Sequence, residues 1–304
     1  MVDGRTDVLD EAEAAFTQVR PRLFGIAYRM LGSAAEAEDV VQDVWLRWQR
    51  ADRGQVRDPN AFLATITTRL AINALQSARA RRESYVGPWL PEPVDTSADP
   101  ALGAEREEAL AFATLLLLER LTPTERAAYV LREAFAYSPR EVAELIGSSE
   151  ANARQLHSRA RRHVARDEAR TVDPKVWADL VQRFFAAARE GDVESLETML
   201  ADDVVSAADG GGVVKAARRV VEGRTNVARY LAGLLTKFWE DLDSAVMEVN
   251  GEPAVVSYRN GSLRSVWFVE TDGAVVSGLR LVVNPEKLAY LDRQLSRTAG
   301  SSGL

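Results

Sequence analysis

The chain has no cysteine, two histidines and four lysines among its 304 residues. Without thiols there are no disulfides and no thiolate metal sites. His157 and His163 lie six positions apart in one helical stretch, which places them on different sides of a helix and not as a metal pair. No metal and no other cofactor are therefore expected. No apolar run approaches the roughly 20 residues that cross a bilayer, and the N-terminus lacks the apolar core of a signal peptide. The expectation is a cytoplasmic protein with no membrane partner. Four lysines among 38 basic residues leave 34 arginines, a bias that fits a high-GC bacterial genome. The 46% hydrophobic and 27% charged fractions are those of an ordinary globular protein, and the length suffices for two or three domains with their own cores.

The net charge of −7 argues against nucleic acid only until its distribution is followed. Arg57 to Arg82 holds five arginines against Asp58 alone, and Glu83 to Glu108 holds seven acids against Arg106 alone. Ala151 to Arg166 then carries five arginines and no acid. Two basic segments separated by an acidic, proline-containing connector suggest two DNA-contacting modules on a linker.

The stretch from Leu121 to Val164 predicts three short helices, the last two forming a helix-turn-helix. Thr122 with Glu125, and Ser138 with Glu141, have capping-box spacing, each followed by proline at the first helical position. Gly147 supplies the turn and Ser148 or Ser149 caps the final helix. In that helix Ala153, Leu156, Ala160 and Val164 form one apolar stripe. Arg154, Gln155, Ser158, Arg161 and Arg162 occupy the other face. An amide among guanidinium groups on a short helix is what major-groove reading requires.

The N-terminal module begins near Leu9. Phe16, Val19, Leu23, Ile26 and Met30 recur at helical spacing until Gly32, and Ser33 with Glu36 opens the next helix. That helix turns Val41, Val44, Trp45 and Trp48 inward and Glu36, Asp39, Gln42 and Asp43 outward. Asp58-Pro59 caps a third helix, in which Phe62, Leu63, Ile66, Leu70 and Ala74 are the predicted stripe. Arg69, Asn73, Gln76, Arg79, Arg81 and Arg82 project elsewhere, suited to phosphate contacts.

The connector contains GPWLPEP, Gly87 to Pro93, a stiff segment presenting Trp89 and Leu90, which reads either as a docking peptide or as a structured linker packing on its own domain. From Pro174 helical spacing covers Val176 to Phe185 and VESLETML. Two-residue periodicity then marks 203–208, 245–249, 254–258, 264–270 and 274–283, with turns at Asn250-Gly251, Asn260-Gly261 and Asp272-Gly273. Helices followed by an antiparallel curved sheet describe an α+β cone. Asp202, Asp203, Asp209 and Tyr258 are available as pocket groups, but no spacing singles out an acid–base pair, and the expectation is no enzyme.

These motifs carry a resemblance. AEDVVQDVWLRW and AFLATITTRLAIN are similar to region 2 of bacterial extracytoplasmic-function (ECF) sigma factors. LTPTERAAYVL followed by EVAELIGSSEANARQLHSRAR is similar to region 4. GPWLPEP, ADGGGVVKAARRVVEG and NPEKL resemble the linker and extension motifs of the ECF subgroup with a C-terminal SnoaL-like, ketosteroid-isomerase-type domain. The resemblance implies a multidomain protein: sigma region 2 at 1–85, an acidic linker at 86–104, region 4 at 105–170, a SnoaL-like cone at 175–292 and a disordered tail at 293–304. It implies that Asp39, Gln42 and Asp43 dock on the β′ clamp helices of core RNA polymerase, with a second contact at the β flap. Arg69, Asn73, Arg79, Arg81 and Arg82 would serve the minus-10 promoter element, with Arg69 at a position where many family members have asparagine. Arg154, Gln155, Ser158, Arg161 and Arg162 would serve the minus-35 element. It also implies an interdomain regulatory set: Trp89, Leu90, Pro91, Glu92 and Pro93 in the linker, Asp209, Gly210, Gly211, Gly212 and Lys215 in the glycine motif, and Asn284, Pro285, Glu286, Lys287 and Leu288 at the end. Here Val213 and Val214 separate Gly212 from Lys215, where the motif has its lysine directly.

The expected function is an alternative sigma factor regulated in cis by its extension, which takes the place of a separate anti-sigma factor. The alternatives are a ligand-sensing sigma factor with a small molecule in the cone, and a non-sigma helix-turn-helix regulator fused to an isomerase-like enzyme.

Overall fold

The computed structural model describes residues 3–96, 111–164, 172–238 and 242–301, with side chains between residues 12 and 297. The chain divides into two compact units, 1–83 with 99–166 and 84–98 with 167–304.

In the first unit α1 (Asp3–Leu31), α2 (Ala34–Arg50) and α3 (Pro59–Glu83) pack together around Leu23, Ile26, Ala27, Met30, Val44, Trp48, Leu63 and Leu75. Gly32, at φ 66, accommodates the sharp exit from α1, and the Ser33 hydroxyl caps α2 by accepting from the Glu36 N–H at 3.1 Å. Asp58 caps α3 by accepting from Asn60 and Ala61. The buried face of α3 differs from the expected stripe. It runs through Leu63, Ala64, Thr67, Thr68, Ala71, Leu75 and Ala78, while Ile66, Leu70 and Ala74 are half-buried. Alanines allow close helix approach. Thr67 is buried because its hydroxyl donates to the Leu63 carbonyl at 2.8 Å, so its polarity by type misleads.

The same unit contains α4 (Phe112–Leu118), α5 (Pro123–Glu133), α6 (Pro139–Ile146) and α7 (Glu150–Val164). Both capping boxes, Thr122/Glu125 and Ser138/Glu141, form as the spacing predicts. Ser149 caps α7 by accepting from the Asn152 N–H at 3.2 Å. Ala153, Ala160 and Val164 are buried beneath it, and Leu156 is half-buried. The helix α6, the Gly147 turn and α7 are a helix-turn-helix.

The second unit has α8 (Pro174–Glu190), α9 (Val193–Met199), β1 (Leu200–Asp209), β2 (Val221–Glu222), α10 (Arg224–Phe238), β3 (Asp243–Val249), β4 (Glu252–Arg259), β5 (Ser262–Thr271), β6 (Val276–Val282) and α11 (Pro285–Ser301). Its sheet is ordered β2-β1-β6-β5-β4-β3, with β1 parallel to β6 and every other neighbour antiparallel. Register shifts at Leu200/Val205, Ser257/Tyr258 and Glu270/Thr271 are the bends of a curved sheet. Trp177, Phe184 and Phe185 of α8 and Leu231 of α10 pack on Trp267, Leu279 and Leu281, with the Phe185 and Trp267 rings edge-on at 5.4 Å. This shared core holds the helices more than their intrinsic propensity does. The unit is an α+β cone, with its helices packed on one curved sheet.

Two expectations are corrected. Residues 84–96 are not a separate connector: they fold into the second unit, with Leu90, Glu92, Val94 and Asp95 buried. The expected disordered tail at 293–304 begins inside α11, which runs to Ser301 because Leu288 and Leu291 bury its first turns; residues 302–304 lie outside the described residues.

Candidate functional site

On α7 the residues Arg154, Gln155, Ser158, Arg161 and Arg162 are all exposed and share one face. Arg154 pairs with Glu150 at 2.5 Å within the helix, and such an exposed pair exchanges readily for a phosphate or a base. His157 is a packing residue, with Nε2 2.6 Å from Glu133 Oε1.

On α2 the residues Asp39, Gln42 and Asp43 are exposed together. Leu46, one turn further on, is 40% exposed and completes the row at helical spacing. Sequence reasoning missed Leu46 because an exposed leucine looks like core in a pattern of types. Two carboxylates, an amide and an apolar side chain thus lie exposed in one stripe along α2.

The basic residues of α3 are differently placed. Arg69 donates to the carbonyls of Leu145 at 3.3 Å and Glu144 at 3.4 Å, at the C-terminal end of α6, where the helix dipole attracts a cation. Arg79 donates to the Glu119 carbonyl at 3.4 Å, and Arg81 pairs with Glu36. Arg82 pairs with the Glu119 carboxylate, which also holds Arg126. Arg126 is fully buried and its Nε donates to the Arg29 carbonyl at 3.0 Å. Burial alone pushes the Glu119 pKa up, but the charges of Arg126 and Arg82 outweigh it and hold the carboxylate below its usual value. Of the five expected minus-10 residues, Arg69, Asn73 and Arg81 are exposed, Arg79 is half-buried and Arg82 is largely enclosed. Glu119 and Arg126 were not singled out by the sequence.

The interdomain set converges on Asp209, at the end of β1, which has no exposed surface. Its carboxylate accepts from the Tyr85 hydroxyl at 2.5 Å, the Leu90 N–H at 2.8 Å, the Gly211 N–H at 3.1 Å and Lys287 Nζ at 2.6 Å. Lys287 also donates to the Leu90 carbonyl and lies 4.1 Å from the Trp89 ring centroid and 5.0 Å from that of Tyr85. Both backbone polar groups of Leu90, its N–H and its carbonyl, are thereby taken by one buried ion pair. Asn284 Nδ2 donates to the Tyr85 oxygen at 2.9 Å. Burial first, then the bond to Asp209, pushes the Tyr85 phenol pKa up, so this hydroxyl stays a neutral donor. Further along, Val94 and Asn250 bond each other twice, Asp95 and Gln294 bond each other twice, and Thr96 donates to Glu248 at 2.9 Å.

The glycine run is explained by this geometry. A Cβ on Gly211, at φ 61, would lie 2.4 Å from Asn284 Nδ2, and one on Gly210 would lie 2.4 Å from the Val214 carbonyl oxygen. Lys215 does not join the cluster. It is exposed, and the lysine that grips the linker is Lys287 of the NPEKL segment. Glu286 is exposed, with its N–H donated to Asn284 Oδ1. Tyr85 was missed; its only sequence signal is an aromatic residue just outside GPWLPEP. The candidate pocket acids are otherwise placed: Asp209 is spent on the linker, Asp202 pairs with Arg224 at 2.9 Å and Asp203 is exposed. Tyr258 donates to the Met247 sulfur at 4.0 Å.

The chain thus carries a basic helix-turn-helix, a second arginine-rich helix and an exposed acidic row. Residues 15–81 match the family Sigma-70 region 2, and residues 112–164 match Sigma-70, region 4. The chain is 39% identical over 287 residues to the ECF RNA polymerase sigma factor SigJ of Mycobacterium tuberculosis, covering 90% of this chain and 91% of that protein. It is 31% identical over 294 residues to the probable ECF RNA polymerase sigma factor SigI of the same organism, covering 94% and 98%. The crystal structure of Mycobacterium tuberculosis SigJ superposes with a TM-score of 0.70 at 36% identity, covering 93% of this chain and 98% of that one. The chain belongs to the ECF RNA polymerase sigma factor family. No helix among the described residues is long and apolar enough to cross a membrane.

Proposed function

We propose that this sigma factor binds core RNA polymerase through the row Asp39, Gln42, Asp43 and Leu46, against the β′ clamp helices, with a second contact from region 4 to the β flap. The α3 residues Arg69, Asn73, Arg79, Arg81 and Arg82 serve the minus-10 element. Arg154, Gln155, Ser158, Arg161 and Arg162 serve the minus-35 element. The protein works in the cytoplasm, and its C-terminal unit takes the place of a separate anti-sigma factor.

The observation that carries the regulatory part is the double grip on the Leu90 peptide by Asp209 and Lys287. Residues 84–96 lie in the chain between α3 and region 4. Whatever holds them sets how far the two promoter-reading modules can separate. On this reading Glu119 must release Arg82, and α6 must release Arg69, before those arginines meet DNA.

The test is co-purification with core polymerase followed by run-off transcription from a cognate promoter. Full-length protein is compared with a chain lacking residues 175–304 and with Asp39→Arg/Asp43→Arg. The double reversal is expected to abolish polymerase binding, and the deletion to change transcript yield while binding persists. A deletion that leaves both unchanged refutes regulation in cis. A charge reversal that still binds refutes the docking face.

A further inference from the structure

The cone holds a half-open cavity of about 400 Å³, lined by none of the residues of the polymerase face or the DNA-reading helices and by neither Asp209 nor Lys287 of the linker grip. That is the size range of small-molecule sites. Leu234, Leu235, Leu263, Trp267, Leu281 and Leu288 give it an apolar wall. Two features argue against a mere packing void. Ser265, 5% exposed, lines the cavity, and its hydroxyl has no hydrogen-bond partner. A buried hydroxyl left unpaired is costly, so a resident group that bonds it is favoured. Among the described lining residues the charged ones are Lys215, Arg259 and Arg264, with no carboxylate. Phe238 and Val214, which also line the cavity, are 53% and 41% exposed.

We propose that this cavity binds an amphipathic organic anion, a medium-length apolar body ending in a carboxylate. The body lies against the leucines and Trp267, and the carboxylate accepts from the cations and from Ser265. An apolar body supplies burial energy without direction, while a charge-assisted bond supplies orientation and selects the anion over a neutral analogue. This also assigns Lys215 a place: displaced from the linker grip by Val213 and Val214, it lines the ligand cavity instead. The cavity shares Pro285 and Leu288 with the segment whose Lys287 holds Leu90. Any readout at the linker rests on the regulatory reading above; binding itself does not.

The experiment is calorimetric titration of full-length protein with decanoate, decanol and decyltrimethylammonium, each below its micellar concentration. Saturable one-to-one binding of decanoate is expected, about tenfold or more tighter than the other two. Arg259→Met should weaken decanoate about tenfold and leave decanol unchanged. Leu234→Trp should fill the space and abolish binding of both, with thermal melts confirming that each variant is folded. If a variant does not fold, Ser265→Ala serves instead, and a fall in decanoate affinity alone is expected. Decanol binding as tightly as decanoate overturns the assignment, as does saturable binding of none of the probes. Preference for the ammonium probe overturns it too.

Discussion

Lys287 Nζ lies 2.6 Å from a carboxylate oxygen of Asp209, and both side chains are buried. Removing one member of such a pair strands the other charge in a low-dielectric site and costs about 3–5 kcal/mol, whereas removing both costs much less. Lys287→Met is therefore expected to lower the stability of the full-length protein by that amount in urea unfolding. Asp209→Asn combined with Lys287→Met should restore a part of it. Additive losses would mean that the two residues are not coupled.

Gly211 tests the same grip without touching a charge. Its left-handed backbone and the 2.4 Å approach of Asn284 leave no room for a methyl group. Gly211→Ala should displace Asn284 from the Tyr85 hydroxyl. Amide exchange at residues 84–96 should then rise about tenfold or more, corresponding to about 1.4 kcal/mol of local protection lost, with α3 and α7 unaffected. Unchanged exchange in the linker would show that the glycine turn does not support it.

Acid should loosen the first unit through Glu119. Its pKa is depressed in the fold, so its stabilising contribution is complete above the ordinary glutamate value and disappears as pH falls through the depressed one. Glu119→Gln should remove this acid sensitivity. It should also destabilise the unit near neutral pH by about 3–5 kcal/mol, because Arg126 is left buried without its counter-charge. Unfolding midpoints from pH 3 to pH 7 measure both effects. A variant with the same pH dependence as the parent would assign the acid sensitivity elsewhere.

On the proposed minus-35 role of α7, its exposed residues divide into two kinds. Gln155→Ala should lose about 1–3 kcal/mol of discrimination at one base pair of the minus-35 element. Arg161→Ala should weaken binding to all promoters alike and reduce the slope of log affinity against log salt by about one. Competition binding of the holoenzyme at several salt concentrations distinguishes them. Identical behaviour of both variants would refute the division of labour on α7.

What the sequence revealed follows from the range of each signal. Thr122, Ser138, Gly147 and Ser149 act over three or four residues, and the helix-turn-helix formed where they place it. The strands from 243 to 282 were legible from alternation and from Asn250, Asn260 and Gly273 at their turns. The face of α3 was misread because buried Thr67 and Thr68 are polar by type. The linker grip joins residues far apart in the chain: Tyr85 and Asp209 are 124 positions apart, and Lys287 and Asp209 are 78 apart. No periodicity records such pairs. The resemblance named the three motifs, and it is in the folded chain that Lys287, not Lys215, closes them. The Arg82–Glu119–Arg126 cluster was hidden for the same reason, since charged residues ordinarily read as surface.

The most direct measurement of the central claim is run-off transcription with core polymerase at saturating sigma factor, comparing the parent chain with Lys287→Met and Gly211→Ala. Linker release is verified by amide exchange, and polymerase affinity is measured in parallel. The account predicts a change in transcript yield of a few-fold in both variants, equivalent to about 0.5–2 kcal/mol of coupling, at unchanged polymerase affinity. A linker demonstrably released with transcript yield unchanged would contradict it.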